Sequence, residues 1–240
     1  MKDEIFSEGE FSSGSFKFNE GVANVFDDMA VRCIPNYKEV IHLTAQAAQN
    51  FVPDNGNIYD LGCSTGSTLI YMSKFLTKKN VKMTGYDPAE AMLKKAKDKA
   101  DIFTYSHEIN FKKGISEDAD ISKANLVIMN YTLQFIGKAK RSEVISRVHQ
   151  NLQQDGIFLL SEKLREPNKN IENFNTKTYE SFKAGNGYSY LEIANKRQAL
   201  ENILVPQSTD DNIEMLKTAG FSRVDILSKW LNFATFIAFK

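Results

Sequence analysis

The chain has 240 residues, 42% of them hydrophobic, which suits one domain with one sizeable core. Lys plus Arg and Asp plus Glu number 30 each, so a nucleic-acid surface that works by bulk charge is excluded and only a local patch is left open. Two cysteines, Cys33 and Cys63, make no disulfide framework and point to a reducing cytoplasm. Met1–Glu4 leads into no apolar signal core, and no apolar run nears the length of a membrane span, so neither a leader nor a membrane partner is expected. His42, His107 and His149 lie far apart and beside no Cys or His pair, so no metal site is expected. Neither a P-loop nor a G-x-S-x-G elbow is present.

Residues 1–20 are polar and carry Ser and Gly, which predicts a flexible arm with Phe11, Phe16 and Phe18 as anchors onto the body. Val22, Val25, Phe26 and Met29 have helical spacing over 21–32. Pro35 then opens a helix over 36–51, with Tyr37 at its start. Tyr37 reads equally as a half-buried core tyrosine or as a hydroxyl over a ligand site.

Ile58 to Ser67 is the stretch around which the chain is organised. An apolar entry, the turn Gly62-Cys63-Ser64-Thr65-Gly66 and an amphipathic run from Thr68 describe strand, glycine turn and helix. That order presents backbone N–H groups and a helix N-terminus to a ligand. Asp60 ends the strand beside the turn. Ser64 stands where the dinucleotide fingerprint requires glycine, so a nucleoside with little phosphate fits better than NAD. The second strand, 81–87, ends in Asp87, placed to accept hydrogen bonds from ribose hydroxyls. Together the turn and the acid point to S-adenosylmethionine.

Pro88 precedes a helix over 89–100, with Met92, Leu93 and Ala96 inward and Lys94, Lys95, Lys97 and Lys99 on a solvated face. A third strand over 109–113 leads to Asp118, which reads equally as an adenine contact or as a surface acid. Leu126–Met129 is wholly apolar, as a central parallel strand buried on both faces should be, and Asn130 lies at its carboxyl end. A helix over 139–152, a turn at Asp155-Gly156 and a fifth strand over 157–160 follow. This alternation predicts a doubly wound α/β sheet. Residues 163–206 break the rhythm with two helices, 172–183 and 190–202, joined by a turn at Gly185–Ser189. Such an insertion is sited to lid a pocket or to meet a second subunit. Arg197 lies in it, either as a solvated helix residue or as a guanidinium fork for a carboxylate. A helix over 209–219, with Thr209 as N-cap, precedes two strands over 223–228 and 230–239. This ending resembles the class I S-adenosylmethionine-dependent methyltransferases, with a mostly parallel sheet and an antiparallel last strand.

The resemblance narrows with Val25–Met29, Pro35-Asn36-Tyr37, Asn130–Phe135, Ser161-Glu162-Lys163, Phe182–Ile193, Lys196-Arg197 and Leu200–Asn202. These segments resemble the carboxy-S-adenosyl-L-methionine synthase family over nearly the whole chain past the first 15 or so residues. The resemblance implies a single 1–240 domain of methyltransferase fold, in a transferase that does not methylate. It implies conversion of S-adenosylmethionine and prephenate to carboxy-S-adenosylmethionine and phenylpyruvate. Hydroxide released from prephenate is the base in that chemistry. The product would serve a separate tRNA carboxymethyltransferase acting on the wobble uridine, with no direct nucleic-acid contact here, and the chain would form a homodimer.

For residues, the resemblance implies that Tyr37 contacts the ligand and that Gly62, Cys63 and Ser64 line its amino-acid portion. Asp87 and Pro88 would hold the ribose, Asn130 would lie near the sulfonium, and Arg197 would pair with the new carboxylate. Pro88 stands where the family often has Asn, and Ile115 where an acid is expected. Two rival readings remain: a methyltransferase acting on a small molecule or RNA, and a non-catalytic ligand-holding subunit of a tRNA-modifying complex.

Overall fold

A computed structural model describes residues 1–9, 11–102 and 107–240. Alternating elements build a sheet from β1 (Asn57–Leu61), β2 (Lys82–Asp87), β3 (Glu108–Lys113), β4 (Ala124–Asn130), β5 (Leu152–Lys163), β6 (Arg223–Trp230) and β7 (Phe233–Phe239). Their order across the sheet is β3-β2-β1-β4-β5-β7-β6. The first five strands pair in parallel, and β7 runs antiparallel to both β5 and β6. The order reverses between β1 and β4, which opens a crevice at the carboxyl ends of those strands.

Before β1 come α1 (Glu20–Cys33) and α2 (Tyr37–Phe51). Between strands lie α3 (Ser67–Phe75), α4 (Glu90–Asp101) and α5 (Lys138–Asn151). After β5 come α6 (Lys169–Gly185), α7 (Tyr190–Leu200) and α8 (Thr209–Thr218). Leu126, Val127, Ile128 and Met129 of β4 are fully buried because helices cover both faces. On one face Val127 and Met129 pack with Ile145, Val148 and Leu216 of α5 and α8. On the other, Leu126 and Ile128 pack with Ala45, Ala48, Leu69 and Met72 of α2 and α3. A third cluster joins Phe6 to Val22, Met29, Met92, Tyr188 and Ile193, so Ile5, Phe6, Phe11, Phe16 and Phe18 lie against α1, α4 and α7. Phe6, which sequence reading did not name as an anchor, is the most deeply buried of its aromatics.

Several local expectations need correction. Asp155-Gly156 is not a turn between elements. The strand begins at Leu152 and absorbs the irregularity as a register shift opposite Ala124/Leu126, with Asp155 at φ 63°. The N-cap of α8 is Ser208, not Thr209: its side chain accepts from Asp211 N while Ser208 N donates to Asp211 Oδ2, a reciprocal capping box. Lys99 does not lie on a solvated face, because its amine reaches Asp27 of α1 at 2.7 Å and ties α4 to α1.

Candidate functional site

The crevice widens into a cavity of about 740 Å³. Its walls come from the carboxyl ends of β1, β2, β4 and β5, the glycine turn, the α1–α2 corner and the facing sides of α6 and α7. Volume and location match a small-molecule site at the switch point of an α/β sheet.

The turn is shaped by close approach. Gly62 has φ 82°, and a Cβ there would run into the Thr132 side chain. Ser64 takes φ 52° without being glycine, and Asp87 holds it there: its Oδ2 accepts from Ser64 N at 2.9 Å while Oδ1 accepts from Ala89 N at 2.9 Å. The acid at the end of β2 therefore fixes both the glycine turn and the start of α4, with lone pairs left over for a ligand hydroxyl.

Asp60 is 2% exposed and lines the cavity, and its carboxylate has no hydrogen-bond partner among the described residues. Burial, reinforced by the neighbouring Asp87 charge, pushes its carboxyl up to about 7. Burial also raises the Asp87 carboxyl, against the two backbone N–H bonds. Two carboxylates at one end of an apolar cavity form a site that a cation would neutralise. Beside them burial pushes the Cys63 thiol well up, which removes it as a nucleophile or base near neutral pH. The Tyr37 hydroxyl is also raised, by burial and then by Asp27 and Asp60, and stays protonated.

Asn130 accepts from Ser161 Oγ at 2.7 Å through Oδ1, and its buried Nδ2 has no partner among the described residues. A buried amide donor lining an open cavity is a free contact for a ligand oxygen. Tyr131 follows at φ 61°, an outlier for a bulky side chain, and it lines the cavity. Behind Tyr131 the aromatic wall continues through Phe233 to Tyr179.

Tyr37, Gly62, Cys63, Ser64, Asp87, Pro88, Asn130 and Arg197, scattered in sequence, all line this one cavity. Asp118 does not. It is exposed beside an exposed Ile115, and its loop lies outside the lining residues. Arg197, read from sequence either as a solvated helix residue or as a guanidinium fork, has a side chain 67% exposed at the rim, and Nη1 donates to Glu180 Oε1 at 2.8 Å. No histidine lines the cavity; His42 meets Tyr71, His107 meets Leu76 O, and His149 packs on Phe221.

Sequence reading missed two groups. The first is a polar knot in which Asp27 accepts from Thr65 and Ser67 and pairs with Lys99, holding α1 over the glycine turn. Lys99, in a run of lysines, gave no signal of it. The second is the α6 face formed by Thr176, Tyr179, Glu180 and Lys183, all lining the cavity. Their i, i+3, i+4, i+7 spacing is a helix face, and the mixture of ring, acid and amine on it was the available clue.

Residues 59–158 match the family model described as a methyltransferase domain. The chain is 43% identical over 240 residues, all of both chains, to the carboxy-S-adenosyl-L-methionine synthase of Nautilia profundicola. It is 40% identical to that of Desulfotalea psychrophila, covering all of this chain and 97% of the relative. Among solved structures, the magnesium protoporphyrin IX methyltransferase of Synechocystis, with bound SAH, superimposes with a TM-score of 0.61 at 16% identity. That match covers 87% of this chain and 85% of the other. Human N-acetylserotonin methyltransferase in complex with SAM gives a TM-score of 0.62 at 17% identity, over 92% of this chain and 55% of that one. At these identities the two structures speak for the fold.

Proposed function

This chain belongs to the carboxy-S-adenosyl-L-methionine synthase family, and on that premise we propose that it converts S-adenosylmethionine and prephenate to carboxy-S-adenosylmethionine and phenylpyruvate. The observation that carries the reading is one cavity lined both by the unpaired carboxylate of Asp60 on β1 and by the cations Lys163 on β5 and Lys183 on α6. Asp60 faces the ligand's positive charge, Asp87 takes the ribose hydroxyls beside Pro88, and Gly62, Cys63 and Ser64 line the amino-acid portion. Tyr37 closes the mouth, and Asn130 donates its free Nδ2 near the sulfonium.

The chemistry balances without a protein base. Prephenate loses its ring carboxylate as carbon dioxide, the electron pair aromatises the ring, and hydroxide departs. Hydroxide removes a proton from the sulfonium methyl to give water and an ylide. The ylide carbon attacks carbon dioxide, and the new carboxylate takes Arg197, which exchanges Glu180 for it. A cavity without histidine and with a protonated Cys63 suits a reaction whose base comes from the substrate. The protein orients the two ligands and excludes water. The test incubates the purified protein with S-adenosylmethionine, with and without prephenate, and follows adenosyl products by mass spectrometry. Gain of one carboxyl only with prephenate supports the reading. Loss of the methyl group to an acceptor instead supports a methyltransferase, the activity that the domain match would otherwise suggest.

A pH dependence follows from Asp60. With the carboxyl pushed up to about 7 in the empty site, a cationic ligand must displace its proton at lower pH. S-adenosylmethionine affinity is expected to fall with decreasing pH below about 7, approaching tenfold per unit, and to be flat above. Asp60→Asn should remove that limb in a calorimetric titration from pH 5.5 to about 8. For the empty protein the sign reverses: the folded chain keeps a proton that the unfolded chain gives up near 3.8, so stability declines as pH rises through that window.

The carboxylated product is a donor for a tRNA carboxymethyltransferase in the cytoplasm. The chain itself works as a homodimer. Ile171 and Phe174 on α6 and Tyr190 and Leu191 on α7 are 48–71% exposed, an apolar surface on the inserted helices that suits a second copy. Light scattering should give twice the 27.2 kDa chain mass. A monomer at micromolar concentration would contradict the dimer.

A further inference from the structure

Lys163, at the end of β5, and Lys183, on α6, line the same cavity, with Lys163 two strands along the sheet from Asp60 of β1 and three from Asp87 of β2. Both amines are held over one ring: Lys183 Nζ is 4.3 Å and Lys163 Nζ 5.1 Å from the Tyr179 centroid. Lys183 is 8% exposed. Neither amine has a side-chain hydrogen bond or a carboxylate within 4.0 Å among the described residues. Their neighbours are already engaged: Arg197 pairs with Glu180, and Lys196 meets Cys33 Sγ at 3.1 Å. Two desolvated cations without counterions are costly, and an aromatic face offsets only part of that cost. An anion entering the cavity would supply the rest.

The reaction decides which anion. Resting on the function proposed above, the co-substrate has two carboxylates with opposite fates. An ammonium on the departing carboxylate would stabilise the ground state and slow the loss of carbon dioxide. An ammonium on the retained carboxylate holds the molecule without opposing the chemistry. From the lysines an aromatic row runs through Tyr179, Phe233 and Tyr131 to Tyr37, with successive centroids 5.1, 6.2 and 6.4 Å apart. It gives the six-membered ring an apolar path toward the sulfonium end beside Asn130.

We propose that Lys163 and Lys183 form the co-substrate subsite, binding the side-chain carboxylate that phenylpyruvate keeps, with the departing ring carboxylate against the aromatic row. Phenylpyruvate therefore binds the same two lysines and inhibits competitively with prephenate. Burial brings Lys183 down to about 8, with Lys163 and Lys196 adding repulsion and Cys33 and Glu180 opposing it. Burial also lowers Lys163, with Glu172 and Glu180 opposing and Arg197 adding to the shift. The empty subsite thus loses charge above about pH 8, and binding an anion there takes up a proton.

The experiment compares the wild type with Lys163→Met/Lys183→Met and Lys183→Arg. It measures S-adenosylmethionine affinity by calorimetry, KM and kcat for prephenate, and phenylpyruvate binding to the protein loaded with S-adenosylhomocysteine. In the double variant, nucleoside affinity should stay within about twofold, which reports an intact fold, while KM and the phenylpyruvate dissociation constant rise about tenfold or more. Wild-type KM should rise above about pH 8, and Lys183→Arg, whose guanidinium stays charged, should lose that limb. Unchanged KM and unchanged phenylpyruvate binding in an active double variant would overturn the subsite and leave the function standing. A wild type that makes no carboxylated product yet binds phenylpyruvate through these lysines would uphold the subsite and sink the function. A wild type that binds neither prephenate nor phenylpyruvate would overturn the subsite.

Discussion

Arg197→Leu is expected to lower formation of the carboxylated product about a hundredfold or more, while S-adenosylmethionine affinity stays within about twofold. Magnitudes separate this from a folding defect. The Arg197–Glu180 pair lies at the rim with the guanidinium side chain 67% exposed, and such pairs contribute about 0–1 kcal/mol. Removing it leaves a stable protein. A bidentate bond to a carboxylate in a water-poor cavity is a stronger interaction, of about 1.5–3 kcal/mol for each charge-assisted bond. Its loss falls on the step that creates the carboxylate, so kcat suffers more than ligand binding. Initial rates by mass spectrometry, with calorimetry on the same preparation, read both quantities. A normal rate in the variant would remove Arg197 from the reaction.

Asp87→Ala is expected to act on the other ligand end and on the fold together. Nucleoside affinity should fall about a hundredfold or more, through loss of charge-assisted bonds to the ribose. Stability should fall too, because Ser64 N and Ala89 N lose the acceptor that now satisfies them. Each unpaired buried N–H costs about 1–3 kcal/mol, and water entering from the cavity keeps the sum near the lower end, about 2 kcal/mol. For a chain of this length that amounts to a melting shift of about 4–8 °C. Equilibrium binding and thermal unfolding check the two effects separately. Unchanged binding with a lowered melting temperature would reduce Asp87 to a structural role.

The sequence showed much of this because the signals are local. A glycine turn, an acid at a strand end and an apolar central strand are read from adjacent residues, and each lies where its pattern implied. Gly62 and Ser64 take left-handed backbone conformations at the turn, and Asp87 reaches back across 23 residues to hold it. What stayed hidden depends on residues meeting across the fold. Lys99 looked like one of four solvated lysines until α1 brought Asp27 to it. Lys163 and Lys183 carry no motif, and only the packing of α6 against the end of β5 brings both amines over the Tyr179 ring with no carboxylate partner among the described residues. Asp118, which read equally as an adenine contact or as a surface acid, is a surface acid for the converse reason, since position after a strand does not turn a loop inward. The family resemblance placed Arg197 at the site but not its resting partner Glu180, which lies 17 residues earlier on another helix.

Following the ring carboxyl of prephenate tests the central claim most directly. With carbon-13 at that carboxyl, unlabelled S-adenosylmethionine and unlabelled bicarbonate in solution, the account predicts label in the carboxymethyl group of the adenosyl product, in step with phenylpyruvate formation. Label lost to bicarbonate while the adenosyl product stays unlabelled, or accumulation of S-adenosylhomocysteine in its place, would contradict it.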